Sequence, residues 1–190
     1  MKAIVAVDQN WGIGRDGDLL CHLKGDMKFF REHTTGNICI MGRKTLDSMP
    51  GGKPLPKRTS WILTRNFAVT PESILPDGTD DPDALRVFYS EEELLDAVRE
   101  REWQDRQTKD ARTIYVCGGG QIYQELLPYC EEVLVTKIEK SFPADRHFPN
   151  LDENADWTLV SAGEPVTEGE GESEIRYRFC TYKPTDTINK

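Results

Sequence analysis

The chain has 190 residues, enough for one domain with a full hydrophobic core and too few for two comfortable domains. Its 24 Lys and Arg against 33 Asp and Glu give a formal net charge of −9, which argues against a sequence-independent grip on nucleic acid. The N-terminal apolar run ends at Asp8, too early for a signal peptide or a membrane anchor. We therefore expect a cytoplasmic monomer without nucleic-acid or membrane partners.

Hydrophobic periodicity divides the first half of the chain into alternating strands and helices. In chain order it predicts a strand at 2–8, a Gly- and Asp-rich loop at 10–18, a helix from about Lys24 to Thr34, a strand at 37–42, a short helix at 43–49 and a strand at 59–64. A Pro- and Asp-rich loop follows at 66–84.

The second half continues the alternation. It predicts a strand at 86–89, a helix at 91–107, a strand at 113–117, a glycine turn and helix at 118–128, and strands at 131–138, 156–163 and 173–182. The helix at 91–107 has acids in its first turn and an apolar stripe that includes Leu94, Leu95, Val98 and Trp103. The last two strands are joined by a Gly- and Glu-rich segment, 164–172, that we predict to be a solvated hairpin loop.

Helices between buried strands indicate an α/β fold with a central, mostly parallel sheet, helices on both faces and an antiparallel strand pair at the C-terminal edge. We expect one domain over 1–190, with the last few residues as a loose tail. The five cysteines form no CxxC pair, and Cys39 and Cys117 lie in apolar runs, which indicates reduced core thiols. Three histidines without ligand spacing predict no metal site.

One acid stands out in the apolar stretch LLCHLKGDMKFFRE, residues 19–32. Asp26 has Leu23 on one side and Met27 and Phe30 on the other. An aspartate near a helix start is commonly a cap that satisfies free backbone amides. The other interpretation is an ionisable group held in an apolar pocket for a ligand. The local sequence leaves both open.

Two strand-to-helix junctions have features of anion sites, which open α/β sheets favour at such positions. In IMGRKT, Gly42 ends a strand and Arg43, Lys44 and Thr45 open a helix, giving either a phosphate site or a basic surface turn. In YVCGGGQIY, the glycines 118–120 allow either close approach of a ligand or tight strand–helix packing. Neither the Rossmann fingerprint nor a P-loop is present.

The loop NWGIGRDGDLLC is a third candidate. Its glycines permit movement, and Ile13 and Leu19 are apolar residues able to cover a ligand, so it is either a lid that excludes water or an ordinary exposed loop.

Taken together, these motifs resemble the dihydrofolate reductases. The segments AVDQNWGIGRDGDLL, the helix with Asp26, IMGRKT, LPKRTSWILTR, YVCGGGQIYQELLP, VTKIE and RHFP occur in the order seen in that family, from Lys2 to Tyr182. Extra length falls in the loop from Asn66 to Leu85 and the helix from Glu91 to Gln107. The resemblance implies reduction of 7,8-dihydrofolate to tetrahydrofolate with NADPH as cofactor, feeding one-carbon and thymidylate metabolism, and binding of diaminopyrimidine antifolates.

The resemblance also assigns the substrate site. Asp26 would bind the pterin through a two-point contact with its donor edge, with Thr136 as its partner, and burial should raise its pKa. Hydride would pass from nicotinamide C4 to pterin C6, and a water would protonate N5. The remaining substrate contacts implied are Ile4, Val5, Met27, Phe30, Met49 and Leu55 around the rings and Arg58 at the glutamate tail.

For the cofactor, the resemblance implies three groups of residues. The nicotinamide side would contact Ala6, Ile13, Gly14 and Leu19, and Leu19 is also expected in the catalytic set with Asp26 and Thr136. Phosphate groups would be held by Gly42, Arg43, Lys44, Thr45, Leu63, Thr64 and Arg65. The pyrophosphate would meet Cys117, Gly118, Gly119, Gly120, Gln121, Ile122 and Tyr123, with a cis peptide between Gly118 and Gly119.

Two positions depart from the family pattern. Most members have Leu-Pro-Trp where this chain has Leu19-Leu20-Cys21, which predicts a roomier pocket, altered water structure and slower turnover. Gln121 stands where a basic residue is frequent, which removes one positive charge from the cofactor site. Cys21 and His22 could instead form a nucleophile–base pair, but the side chains of adjacent residues rarely point in the same direction.

Two other functions compete with this assignment. A related reductase of the same fold reduces a ribosylated pyrimidine in riboflavin synthesis, but it would need neither Asp26 in an aromatic-flanked helix nor Arg58. A non-catalytic pterin- or nucleotide-binding module is the other, and only Cys21 supports it.

Overall fold

Alternating apolar residues produce a set of short, mostly buried strands. The protein is represented by a computed structural model that describes residues 1–76, 78, 84–108 and 111–188. The strands are β1 Lys2–Val7, β2 Gly12–Arg15, β3 Asp18–Leu19, β4 Ile38–Gly42, β5 Thr59–Leu63, β6 Leu85–Phe88, β7 Ile114–Val116, β8 Glu132–Ile138, β9 Arg146–His147, β10 Trp157–Ala162, β11 Val166–Glu168 and β12 Ile175–Pro184.

Each of the five connections between β3 and β8 contains an α-helix, and a further helix follows β12. They are α1 Lys24–Thr34, α2 Arg43–Ser48, α3 Pro71–Ile74, α4 Glu91–Gln107, α5 Gly120–Leu126 and α6 Thr185–Ile188, with 3-10 turns at Pro50–Gly52, Leu127–Tyr129 and Gly171–Ser173. None of the helices in the described ranges combines the length and apolar character that crossing a bilayer requires.

The main sheet has the strand order β10-β12-β8-β1-β7-β4-β5-β6, with β11 paired to β12. Strands β8, β1, β7, β4, β5 and β6 run parallel to one another. Strand β12 is antiparallel to β8, β10 and β11. The predicted parallel sheet with an antiparallel C-terminal edge is therefore confirmed.

Residues of one strand alternate between two hydrophobic clusters, because successive side chains point to opposite faces. Along β1, Val5 and Val7 join a cluster with α4 and α5, whereas Ile4 joins a cluster with α2 and with Phe29 of α1. Helices thus cover both faces, as predicted. The α1 and α2 face is the one that bears Asp26.

Helix α4 matches its predicted bounds, 91–107. Ser90 caps it by accepting a hydrogen bond from the Glu93 amide at 3.1 Å. Leu94, Leu95 and Val98 are buried in the cluster beneath it, as predicted. Trp103 is 63% exposed, so its inclusion in the apolar stripe was wrong.

Three predicted loops contain short elements of secondary structure. Segment 10–18 forms β2 and β3, and β2 pairs with β9 in a separate small sheet. Segment 164–172 includes β11, which pairs with β12. Segment 66–84 contains α3, while residues 77 and 79–83 of that loop lie outside the described residues.

The structure describes the C-terminal segment, where we expected a loose tail, only in part. Residues 185–188 form α6, and the Thr185 amide donates to the Asp156 carbonyl at 2.9 Å. Residues 189–190 lie outside the described part of the chain.

Candidate active site

Asp26 occupies the third position of α1. The residue before the helix is Leu23, whose side chain has no polar atom, so the local sequence provides no cap. The amides of Lys24 and Gly25 instead donate to the carboxylate of Glu168, at 2.8 and 2.7 Å. The interpretation of Asp26 as the helix cap is therefore wrong, and its carboxylate is available for another role.

The environment of Asp26 disfavours its charge. Burial raises the pKa of this carboxyl, the neighbouring Thr136 side chain partly opposes that shift, and the negative charge of Glu168 adds to it. The predicted rise in pKa is confirmed in direction.

Sheet register places Thr136 beside this helix. Thr136 lies on β8, where it pairs with Ala6 of β1 on one side and with Phe179 of β12 on the other. It is 1% exposed, and Phe179 in turn stacks on Phe29 of α1 with ring centroids 4.2 Å apart. The packing of α1 on β12 therefore brings Asp26 and Thr136 together.

The expected apolar wall is partly assembled. Ile4 is buried, and Phe30 and Met49 are half-buried in the cluster beneath α1 and α2. Met27, also on α1, is 48% exposed. The side chain of Val5 packs on the opposite face of the sheet, toward α4 and α5, so only its backbone faces this site.

Arg58 is held at the end of α1 by hydroxyl and carbonyl groups. Its Nε donates to Thr34 Oγ1 at 2.8 Å and one Nη to the Pro56 carbonyl at 3.2 Å. Its guanidinium centre lies 5.9 Å from the ring centroid of Phe30. An open cavity of about 490 Å³ adjoins it, lined by Lys53, Leu55, Lys57 and Arg112 among others. Leu55 and Arg58 are therefore neighbours, and the cavity is strongly basic.

The triple-glycine turn brings two helix starts together. The Gly42 amide donates to the Gly118 carbonyl at 2.8 Å, which ties the start of α2 to the turn before α5. A Cβ on Gly119 would lie 3.1 Å from Thr45 Oγ1, and one on Gly118 would lie 3.2 Å from the Tyr123 ring. The Gly118–Gly119 peptide is cis, as the resemblance implied. The turn, called the cradle below, is thus packed so closely that side chains at Gly118 and Gly119 would collide with Tyr123 and Thr45.

Two of the charged side chains around this cradle, Arg43 and Arg65, pair with acidic residues of the protein. Arg43 Nε donates to Asp47 at 2.7 Å, and Lys44 is exposed. Arg65 Nη2 donates to Glu125 Oε1 at 3.0 Å, and Gln121 Nε2 donates to the same oxygen at 2.9 Å. Leu63 is buried at the end of β5, and Thr64 follows it, so both serve to place Arg65 opposite α5.

Comparison with known proteins identifies this arrangement. The dihydrofolate reductase family model matches residues 1–184. A dihydrofolate reductase of Bacillus subtilis is 36% identical over 180 residues, covering 95% of this chain and 92% of that protein. One from Mus musculus is 32% identical and covers 98% of each. The chain belongs to the dihydrofolate reductase family.

A solved structure shows that the fold is also that of a dihydrofolate reductase. The dihydrofolate reductase of Enterococcus faecalis, in complex with NADP(H) and RAB-propyl, matches with a TM-score of 0.70 and 30% identity, covering 97% of this chain and 96% of that one. The chain is accordingly an NADPH-dependent oxidoreductase of the dihydrofolate reductase family. This outcome disfavours both competing functions, the riboflavin-pathway reductase and the silent binding module.

The segment 10–21, for which we considered a lid or an exposed loop, is more structured than a free loop. The buried carboxylate of Asp8 accepts the amides of Asn10, Gly12 and Phe142, each at 2.8 Å. Gly14 is buried in β2, and a Cβ on Gly120 would lie 3.7 Å from Ile13 Cδ1, so this strand stands over the glycine turn. Leu19 is 50% exposed. This segment is therefore fixed at its start by Asp8 and exposes an apolar side chain, Leu19, near its end.

Cys21 shows no sign of nucleophilic activation. Burial and the nearby Asp26 charge raise the pKa of its thiol, whereas a nucleophilic cysteine needs a lowered pKa. The structure thus disfavours the Cys21–His22 pair. All five cysteines are free, and those at 39, 117, 130 and 180 are buried, which confirms the expected core thiols. Among the residues that the structure describes, no group of three or more potential ligands is arranged to hold a metal ion.

Sequence reasoning missed two features of this site. Glu168, which caps α1, lies 144 residues from Lys24, in a segment that we predicted to be solvated. Arg146 and His147 form β9 and line an open cavity of about 630 Å³ with Gly120 and Gln121. The RHFP motif was a signal for the second feature, but no local pattern indicates the first.

Proposed function

We propose that this protein converts 7,8-dihydrofolate to 5,6,7,8-tetrahydrofolate by adding hydride at C6 of the pterin and a proton, delivered by water, at N5. NADPH supplies the hydride when it is bound. The single observation that carries this proposal is a carboxylate of raised pKa, Asp26, standing between an apolar wall and the buried hydroxyl of Thr136. Perturbed carboxylates of this kind cluster at functional sites.

Asp26 acts by position and charge. Its two oxygens accept two parallel N–H bonds from the amino-pyrimidinone edge of the pterin, which fixes the ring in one orientation. Thr136 holds the carboxylate and contacts the same amino group. Since N5 lies across the ring from that edge, the carboxylate biases the proton transfer electrostatically rather than donating the proton. Leu19, at the exposed tip of the lid, closes over the reacting face and excludes bulk water.

Apolar side chains and one arginine bind the rest of the substrate. Ile4, Met27 and Phe30 contact the pterin and the ring that follows it, and Met27 becomes buried on binding. Met49 and Leu55 complete that wall. Arg58, which Thr34 and Pro56 already hold, pairs with the α-carboxylate of the glutamate tail.

The cofactor fits the cradle between α2 and α5. A Cβ at Gly118 or Gly119 would lie 3.1–3.2 Å from Tyr123 or Thr45, so glycine at both positions allows the close packing that brings the two helix starts together. Thr45 and the amides at the helix starts bind the phosphates, and Arg43, Lys44 and Arg65 favour the additional phosphate that distinguishes NADPH from NADH. Ala6, Ile13 and Gly14 contact the nicotinamide side.

One chain supplies every part of this site, so we also infer a single-domain monomer. Strand β1 lies between β7 and β8, which puts residues from both halves of the chain into one sheet. Sedimentation at micromolar concentration tests this: a monomer mass is expected, and a dimer mass would contradict it.

The proposed reaction is tested by mixing protein, NADPH and dihydrofolate and following the loss of cofactor absorbance. We expect Asp26→Asn to lower kcat/KM by about 100-fold or more, because the two-point contact and the charge are both lost. NADPH affinity should stay unchanged. The control is Asp156→Asn, an exposed residue before β10, which should behave as wild type. Full turnover in Asp26→Asn would contradict the role of the carboxylate.

Inhibitor binding gives an independent test. Diaminopyrimidine antifolates present a cationic donor edge that complements Asp26. Calorimetry should show affinity falling by about 100-fold in Asp26→Ala, since a charge-assisted pair is lost. Equal affinity in wild type and Asp26→Ala would contradict this binding mode.

A further inference from the structure

The hairpin formed by β11 and β12 holds the start of α1. Glu168, the last residue of β11, accepts the Lys24 amide on Oε2 at 2.8 Å and the Gly25 amide on Oε1 at 2.7 Å. The Tyr177 hydroxyl of β12 donates to Oε1 at 2.5 Å. One carboxylate therefore joins the first turn of α1 to the strand that packs beside Thr136.

The fit around this carboxylate is close. A Cβ on Gly25 would lie 2.0 Å from the Tyr177 hydroxyl and 2.9 Å from Glu168 Oε1, so the junction requires glycine there. Tyr177 is fully buried. A glutamate on a fully solvated hairpin would not be enclosed by a buried tyrosine and a helix backbone.

The charge of Glu168 also reaches Asp26. Hydrogen bonding from Tyr177 and the two amides lowers the pKa of Glu168, so it stays ionised, and its charge raises the pKa of Asp26. The other titratable groups that share the field of Asp26 are Cys21, Tyr123 and Tyr177, whose pKa values are raised, leaving them uncharged at neutral pH. Glu168 is therefore the ionised neighbour that acts on Asp26.

We propose that Glu168 is a positioning residue for the pterin site: its carboxylate fixes the first turn of α1 against β12 and thereby sets the position and charge state of Asp26. The expected effect on dihydrofolate binding rests on the proposed function, whereas the effect on the position and charge of Asp26 does not. Substrate orientation in this protein then depends on a contact between residues 144 positions apart.

The test compares Glu168→Gln and Glu168→Ala with Glu174→Gln, which removes the same charge from an exposed position of the same hairpin. The first readout is the titration of the Asp26 carboxyl carbon by 13C NMR, with the signal assigned from Asp26→Asn. We expect its midpoint to move down in Glu168→Gln, because a charge that raises the pKa is removed, and to stay unchanged in Glu174→Gln.

The second readout separates positioning from general stability. KM for dihydrofolate should rise by about tenfold in Glu168→Ala, while the dissociation constant of NADPH changes by less than about twofold. Glu168→Gln keeps one acceptor for the helix amides, so its KM for dihydrofolate should lie between those of wild type and Glu168→Ala. If Glu168→Ala does not fold, Glu168→Gln alone provides this readout.

Two results would overturn the inference: an Asp26 midpoint that does not move in Glu168→Gln, or equal losses of dihydrofolate and NADPH affinity, which would indicate a general structural role. Lack of dihydrofolate reduction by the wild type would instead overturn the proposed function and leave the titration result standing.

Discussion

Asp26 is held in a state that favours its protonated form. A carboxyl whose pKa is raised on folding adds stability below its unfolded pKa, near 3.8, and loses that contribution as the pH rises through the folded value. At neutral pH the ionised Asp26 therefore opposes folding. This is the sign expected of a group retained for binding, since active sites commonly trade stability for function.

The residue-scale prediction is that Asp26→Asn stabilises the free protein at pH 7 while abolishing most turnover. Its melting temperature should rise by about 2–4 °C, because a half-buried charge is replaced by a neutral amide of the same shape. The gain should shrink as the pH falls toward 4. Calorimetry at several pH values measures this, with Asp156→Asn as the control; a lower melting temperature at pH 7 would contradict it.

The resemblance predicts extra space at Cys21, where most family members have tryptophan. Its half-buried side chain packs against the cluster of Leu23, Ile138 and Tyr177, close to the Asp26 charge. We predict that Cys21→Trp folds and changes dihydrofolate affinity by about 3–10-fold, because the indole fills the pocket and offers an N–H donor. Equilibrium binding measures the change, and Cys21→Ser serves as control. Global unfolding of Cys21→Trp would show that the space does not exist.

At the scale of elements, helix α1 depends on a sequence-distant cap. Its own N-cap residue, Leu23, cannot accept the first free amides, so their partner comes from β11. The β11–β12 hairpin is therefore part of the substrate site, although its sequence is typical of a solvated turn. An anionic side chain at that helix end also complements the helix dipole.

The junction predicts a specific steric coupling between α1 and β12. Gly25→Ala places a methyl group 2.0 Å from the Tyr177 hydroxyl, and it should destabilise the protein by about 1–3 kcal/mol. Tyr177→Phe removes that hydroxyl and should restore part of the loss in the double variant. Urea denaturation of the four members of this cycle gives the coupling energy. Additive effects would show that the two residues do not meet.

At the scale of the whole molecule, the sheet separates two tasks. The face with α1 and α2 carries Asp26 and the apolar substrate wall, whereas α4 and most of α5 cover the other face. The strands connect the faces without mixing their side chains, because neighbouring residues point in opposite directions. Stability and substrate binding are therefore separable by mutation.

Helix α4 allows this separation to be measured. Leu94 is fully buried, so Leu94→Ala should cost about 2–5 kcal/mol of unfolding free energy while leaving KM for both ligands unchanged. Trp103, 63% exposed on the same helix, is the matched control, and Trp103→Ala should change stability by less than about 0.5 kcal/mol. A large change in KM for Leu94→Ala would show that the two faces are coupled.

Sequence patterns predicted the main elements because their information is local. Helices α1 and α4 and the core strands follow from periodicity, and their bounds agree with prediction to within a residue or two. Segments 10–18 and 164–172 were predicted as loops because β2, β3 and β11 are too short to show a period in the sequence, and because β2 also pairs with the distant β9. Trp103 was misplaced because a helical stripe does not show where its supporting surface ends.

The sequence by itself determined that an unusual acid, two glycine-containing junctions and a lid-like loop occur in the order typical of dihydrofolate reductases, since side-chain identity and spacing are written along the chain. Only the tertiary structure decided that Asp26 is not a cap, that Val5 faces away and that Glu168 holds α1. Hydrogen bonds and charge interactions depend on separation in space. The contact between Glu168 and Lys24 joins residues 144 positions apart, so no local sequence pattern indicates it.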